Sequence, residues 1–163
     1  MATLLIAMAA CTPATNVSGA PGARLADREA IEATLDRYTR GLDRLDADLY
    51  LSSFAANGVL MIYEKRYQGR DALRDIIAEE ARLRGAQKAS GQAPRTLFHL
   101  EQNSTIAFTA AGQALHQAYW LTISRTGDKP EDLRLLGVGS SIDELRKIDG
   151  QWLITRREIR SQP

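Results

Sequence analysis

The sequence is short of the groups that most often announce a function. It holds one cysteine, Cys11, so no intramolecular disulfide can form. Its only histidines are His99 and His116, with no H-x-x-x-H or C-x-x-C spacing, which argues against a metal centre and leaves no expected cofactor. Charge of one sign is not in excess: 21 Lys and Arg stand against 20 Asp and Glu for a net +1, and the basic residues are scattered, so nucleic acid is not an expected partner. No run reaches the ~18 to 20 apolar residues that span a bilayer. A chain of 163 residues suffices for one buried core and is too short for two ordinary domains.

Residues 1–24 differ from the rest: a short apolar run, the lone cysteine, then a tract of Thr, Pro, Ser, Gly and Ala without periodicity. They read as a targeting segment and linker, with the domain occupying 25–163. Met8-Ala9-Ala10-Cys11 is similar to a bacterial lipobox, which would make Cys11 a lipidation site and the protein an exported, periplasmic or membrane-anchored lipoprotein. No basic residue precedes Leu4, and without export the chain would be cytoplasmic.

From Asp27, a candidate N-cap, Ile31, Leu35, Tyr38, Leu42 and Leu45 recur at helical spacing. Asp43, Asp46 and Asp48 mark a corner before a short second helix over 49–54. Asn57-Gly58 is a turn signal ahead of an apolar strand over 59–63, which carries Leu60 and Ile62. Gly69-Arg70-Asp71 opens a third helix with Leu73, Ile76, Ile77 and Ala81 as its buried face, and residues 84–95 read as a loop over a pocket mouth. Strands over 96–109 and 113–126 turn at Ala111-Gly112, and strands over 133–148 and 151–159 turn at Asp149-Gly150. The fold class is α+β.

Five motifs fall in the order of a known family: Ile31 to Tyr38 followed by Leu42-Asp43; Phe54-Ala55-Ala56-Asn57; Gly69-Arg70; His99 with Asn103; and Asp149-Gly150-Gln151-Trp152-Leu153-Ile154 followed by Arg157. Over 27–159 the chain resembles a SnoaL-like domain of the nuclear-transport-factor-2-like superfamily. The most similar branch includes scytalone dehydratase, bile acid 7α-dehydratase and hexachlorocyclohexane dehydrochlorinase. The resemblance implies a cone-shaped α+β barrel, with three N-terminal helices on a curved, mainly antiparallel sheet enclosing a pocket. It also implies catalysis by Asp43 and His99, with Tyr38 and Arg157 assisting, and Asn103 matching the dehydrochlorinase pattern. Homodimers, or trimers in the dehydratase branch, are further expectations. His116 does not cleanly match the second histidine of scytalone dehydratase, and the 84–95 segment has no counterpart there.

A histidine of near-neutral pKa can take a carbon-bound proton, and a carboxylate on its other nitrogen sets the tautomer and stabilises the imidazolium. Arg157 could hold a carbonyl oxygen or departing anion, and Tyr38 could donate to a leaving hydroxyl. Strand alternation puts His116, Ala118, Trp120 and Thr122 on one face and Gly137, Gly139 and Ser141 on another. The dehydrochlorinase register turns both sets inward, with the glycines leaving room for a flat ring beside Trp120. The opposite parity would place Tyr119 and Leu121 inside. Two functions compete: a cofactor-independent lyase or isomerase for a small, apolar, cyclic ligand, and a non-catalytic ligand- or partner-binding periplasmic module on the same fold. A cyclase of the polyketide type would keep the dyad and change only the substrate.

Overall fold

The computed structural model describes residues 21–126 and 129–161; the lipobox-like segment and Cys11 lie outside the described residues. Helix α1 (Pro21–Arg44) is amphipathic, and its Ile31, Leu35 and Tyr38 are buried. It starts well before Asp27, so this residue is no N-cap. The Asp27 carboxylate accepts from Trp152 Nε1 at 2.8 Å and Lys147 Nζ at 2.7 Å, tying the helix to the sheet.

Helix α1 ends in a Schellman arrangement. The Asp46 N–H reaches Gly41 O at 2.9 Å, the Leu45 N–H reaches Leu42 O, and Leu45 takes φ 57°. Asp46 then caps α2 (Ala47–Leu51) by accepting from the Leu49 N–H at 2.9 Å. The second helix is thus two residues earlier than expected, and Phe54 opens strand β1 (Phe54–Ile62) instead of closing a helix.

Strand β2 (Lys65–Gln68) pairs back on β1 through a turn whose Tyr63 has φ 54°. Helix α3 (Gly69–Ala89) follows, then β3 (Thr96–Ala110), β4 (Gln113–Arg125), a 3-10 turn at Pro130–Asp132, β5 (Leu133–Ile148) and β6 (Gln151–Ser161). The strands form one sheet in the order β2-β1-β6-β5-β4-β3, antiparallel throughout except for the β1–β6 pair. Strands β2 and β3 are its edges, so the sheet is open and is not a closed barrel. The third helix lies between β2 and β3 in sequence, so only α1 and α2 precede the strands.

Helix α1 packs on β3 and β6 and helix α3 on β1 and β2, leaving the outer sheet face uncovered by helices. The core between them gathers Ile31, Tyr50, Leu60, Leu73, Leu145, Trp152 and Ile154. The predicted loop over 84–95 is helical as far as Ala89. The Arg84 Nε to Glu80 ion pair at 3.1 Å spans one turn, and Gly91, with φ 77°, follows the helix end.

Candidate functional site

Asp43 lies in the last turn of α1, where the negative end of the helix dipole disfavours a carboxylate. Strand β3 compensates. As a sheet edge it carries unpaired N–H groups, and that of His99 reaches Asp43 Oδ1 at 3.1 Å and Oδ2 at 3.3 Å. The His99 ring closes the same contact, with Nδ1 2.6 Å from Asp43 Oδ1. A carboxylate only accepts, so Nδ1 carries the proton and Nε2 of the neutral ring has the free lone pair. Both side chains are about a quarter exposed.

His99 stands where two cavities meet. The larger, of ≈ 470 Å³, lies between α3 and the sheet, with walls that include Leu60, Ile76, Leu83 and Leu97. The smaller, of ≈ 190 Å³, is bounded by Glu101, Trp120, Thr122 and Arg157 among others. Tyr38, Leu42, Ile62 and His99 line both.

Arg157, on β6, is almost fully buried beside the smaller chamber. Its Nη1 donates to Asp143 at 3.3 Å, its Nη2 donates to Glu101, and its Cζ lies 4.1 Å from the centre of the Tyr38 ring. One guanidinium thus stands between two carboxylates and on an aromatic face. Its burial holds the guanidinium below the usual arginine range. Burial raises the Tyr38 phenol above its ordinary value, with the Arg157 charge pulling the other way, so the phenol keeps its proton at neutral pH.

Beneath these residues, His116 Nδ1 lies 2.7 Å from Asp143 Oδ2, both side chains being nearly inaccessible. Burial raises the Asp143 carboxyl above its usual range, against the lowering effect of His116.

Of the expected site residues, Asp43, His99, Tyr38 and Arg157 come together, and Leu60, Ile62, Trp120 and Thr122 line the chambers. Four do not join them. His116 faces inward as the chosen parity requires, but it is consumed by Asp143 below the cavity floor. Gly139 carries the Trp120 indole directly: a Cβ there would lie 2.5 Å from Trp120 Cζ2, so the tryptophan itself fills the room expected for a ring. Asn103 sits exposed at the bulge in β3, with φ 52°, and shares a separate depression with Ser141.

Glu101 and Asp143 were not anticipated. Period-two alternation could have found both, since Glu101 follows His99 by two residues and Asp143 follows Ser141 by two. The acidic stretch of α3, with Asp75, Glu79 and Glu80 at the larger chamber, was also missed. Among the described residues no group of three or more His, Cys, Asp or Glu could hold a metal ion.

Solved structures share this architecture. Rv3472, a Mycobacterium tuberculosis protein of unknown function solved as a single-residue variant, superposes with TM-score 0.74 at 22% identity over 88% of this chain and 76% of its own. A Novosphingobium aromaticivorans protein assigned provisionally as a scytalone dehydratase gives 0.66 at 24% over 87% and 88%. A Catenulispora acidiphila protein solved in complex with S-DNPA gives 0.62 at 18% over 83% and 94%. No curated protein matches the chain. The profile of the SnoaL-like domain matches residues 23–158, and the chain belongs to that family.

Proposed function

We propose that this protein is a cofactor-independent lyase or isomerase acting on a small, largely apolar, cyclic substrate, with His99 as the base. The observation that carries this reading is the 2.6 Å contact between His99 Nδ1 and Asp43 at the junction of two cavities. It leaves Nε2 as the basic atom next to space for a ligand. In an elimination, Nε2 takes a proton from carbon, the C–H electrons form the new double bond, and the leaving group departs from the neighbouring carbon. A hydroxyl leaves as water with the proton of Tyr38, and the neighbouring Arg157 charge offsets part of the cost that burial places on the resulting phenolate until the tyrosine is reprotonated. In an isomerisation the same histidine returns the proton to another carbon. A solved structure of this fold named provisionally for a dehydratase and another in complex with a small molecule are in keeping with a small-molecule role.

The test is turnover of a panel of halide- and hydroxyl-elimination substrates, read by halide release and by absorbance of the new double bond. His99→Asn and Asp43→Asn are expected to lose about 10²- to 10⁴-fold in rate while still binding ligand. Wild-type protein that binds panel members and turns none over would favour the binding-module reading instead. We place the domain over residues 25–163 as an exported protein whose outer sheet face, with Leu100, Tyr119, Leu136 and Val138 exposed, pairs two copies. A sedimentation mass of one chain would remove the dimer. A mature protein mass that retains residues 1–10 would remove lipidation at Cys11.

A further inference from the structure

The Arg157 cation is already matched by two carboxylates. Asp143 is fully buried, whereas Glu101 lines the smaller chamber beside His99 with its side chain 14% exposed. The charged side chains lining this chamber are Arg157 and Glu101, with Asp43 behind His99 and Asp143 behind Arg157; Arg84, whose Nη1 reaches Asp43 O, is itself paired with Glu80. An arriving carboxylate or phosphate would find no unmatched cation, would lose its hydration, and would approach Glu101. Burying an anion without a partner is costly. A hydroxyl has a partner here, because an arginine-held carboxylate is an acceptor with lone pairs to spare.

We propose that Glu101 determines ligand class: the smaller chamber takes an uncharged ligand through a hydroxyl that donates to Glu101, with the apolar body in the larger chamber, and it rejects anions. The proposal rests on the two joined cavities being the ligand site and, in the reading above, the place of reaction. Its orientation follows from strand β3, where His99 and Glu101 project to the same side two residues apart. The hydroxyl end is thereby fixed within reach of the His99 ring. Sites built around a hydroxyl discriminate strongly, since an analogue that cannot donate leaves the buried acceptor unpaired.

The test compares two probes on one skeleton, 2-naphthol and 2-naphthoate, titrated by calorimetry at pH 7 into the full chain. The wild type is expected to bind the naphthol at least ~10-fold more tightly, a ratio corresponding to ~1.4 kcal/mol. Glu101→Gln is expected to bring the two affinities within about threefold through a gain for the naphthoate, as loss of one of the two carboxylates leaves the arginine short of a partner. The Glu101 side-chain ¹³C resonance of the wild type should also move on adding 2-naphthol, a readout that needs no variant. Equal or tighter binding of the naphthoate by the wild type, an unchanged ratio in a folded Glu101→Gln, an unmoved resonance, or no binding of either probe would each overturn the assignment. Because binding is measured without turnover, a protein that selects naphthol yet catalyses nothing would end the lyase reading and leave Glu101's role standing.

Discussion

Asp43 occupies a place where helix electrostatics work against it, and two donors from a single residue of β3 stabilise it there. The dyad was legible through the family resemblance, in which an Asp near the end of the first long helix and a His opening a strand stand at the positions of Asp43 and His99. What surrounds Arg157 was not legible, because Glu101 and Asp143 lie 56 and 14 positions from it in sequence. Asp143 is the residue on which the buried charges depend. Asp143→Ala would leave buried His116 without its partner and Arg157 with Glu101 alone, and it is expected to lower unfolding free energy by ~3–5 kcal/mol in urea titrations. A loss below ~1 kcal/mol would mean that Arg157 is satisfied by Glu101 alone.

At the scale of elements, the hairpin turns at Ala111-Gly112 and Asp149-Gly150 appeared where expected, since glycines there take φ 65° and 81°. Strand β2 was missed for the converse reason: Tyr63-Glu64 turns the chain without glycine or asparagine, and tertiary pairing holds Tyr63 left-handed. In sequence the tail of α3 resembles a loop, because Gly85 and polar residues hide its period, whereas its ion pairs and contacts with the site hold it helical. Arg84 Nη1 reaches Asp43 O at 3.5 Å, and Arg95 meets Glu80 at 3.4 Å.

The corner between α1 and α2 depends on Gly41, where a Cβ would lie 2.4 Å from Tyr50 N. Gly41→Ala ordinarily favours a helix interior by ~1 kcal/mol. Here the backbone contact is expected to reverse that sign and lower Tm, as thermal circular dichroism would reveal. An unchanged or raised Tm would show that α2 can retreat without cost.

For the molecule as a whole, pH couples to folding through the buried tyrosines. Tyr50 has its pKa raised well above the ordinary value, chiefly by burial, and Tyr38 is raised for the same first reason. A phenol whose folded pKa exceeds its unfolded value, about 10, contributes fully below that value, and the contribution is lost as pH rises toward the folded one. Stability should therefore fall above about pH 10. In ultraviolet titration two of the five tyrosines should resist ionisation until the chain unfolds. Reversible ionisation of all five in folded protein would contradict this.

Sequence alone determined the class of this protein. Helical period followed by strand alternation and glycine turns sets the order of elements, because local propensity and patterning act over a few residues. The resemblance of its motifs to the SnoaL-like family, and not the periodicity, nominated Asp43, His99, Tyr38 and Arg157. Only the tertiary structure decided that the sheet stays open, that His116 is spent on Asp143, that Trp120 fills its own space over Gly139, and that Arg157 is paired with Glu101 and Asp143. Those outcomes depend on strand register and on charges brought together across long sequence separations in a low-dielectric interior, where each pairing is settled by which groups burial leaves within reach.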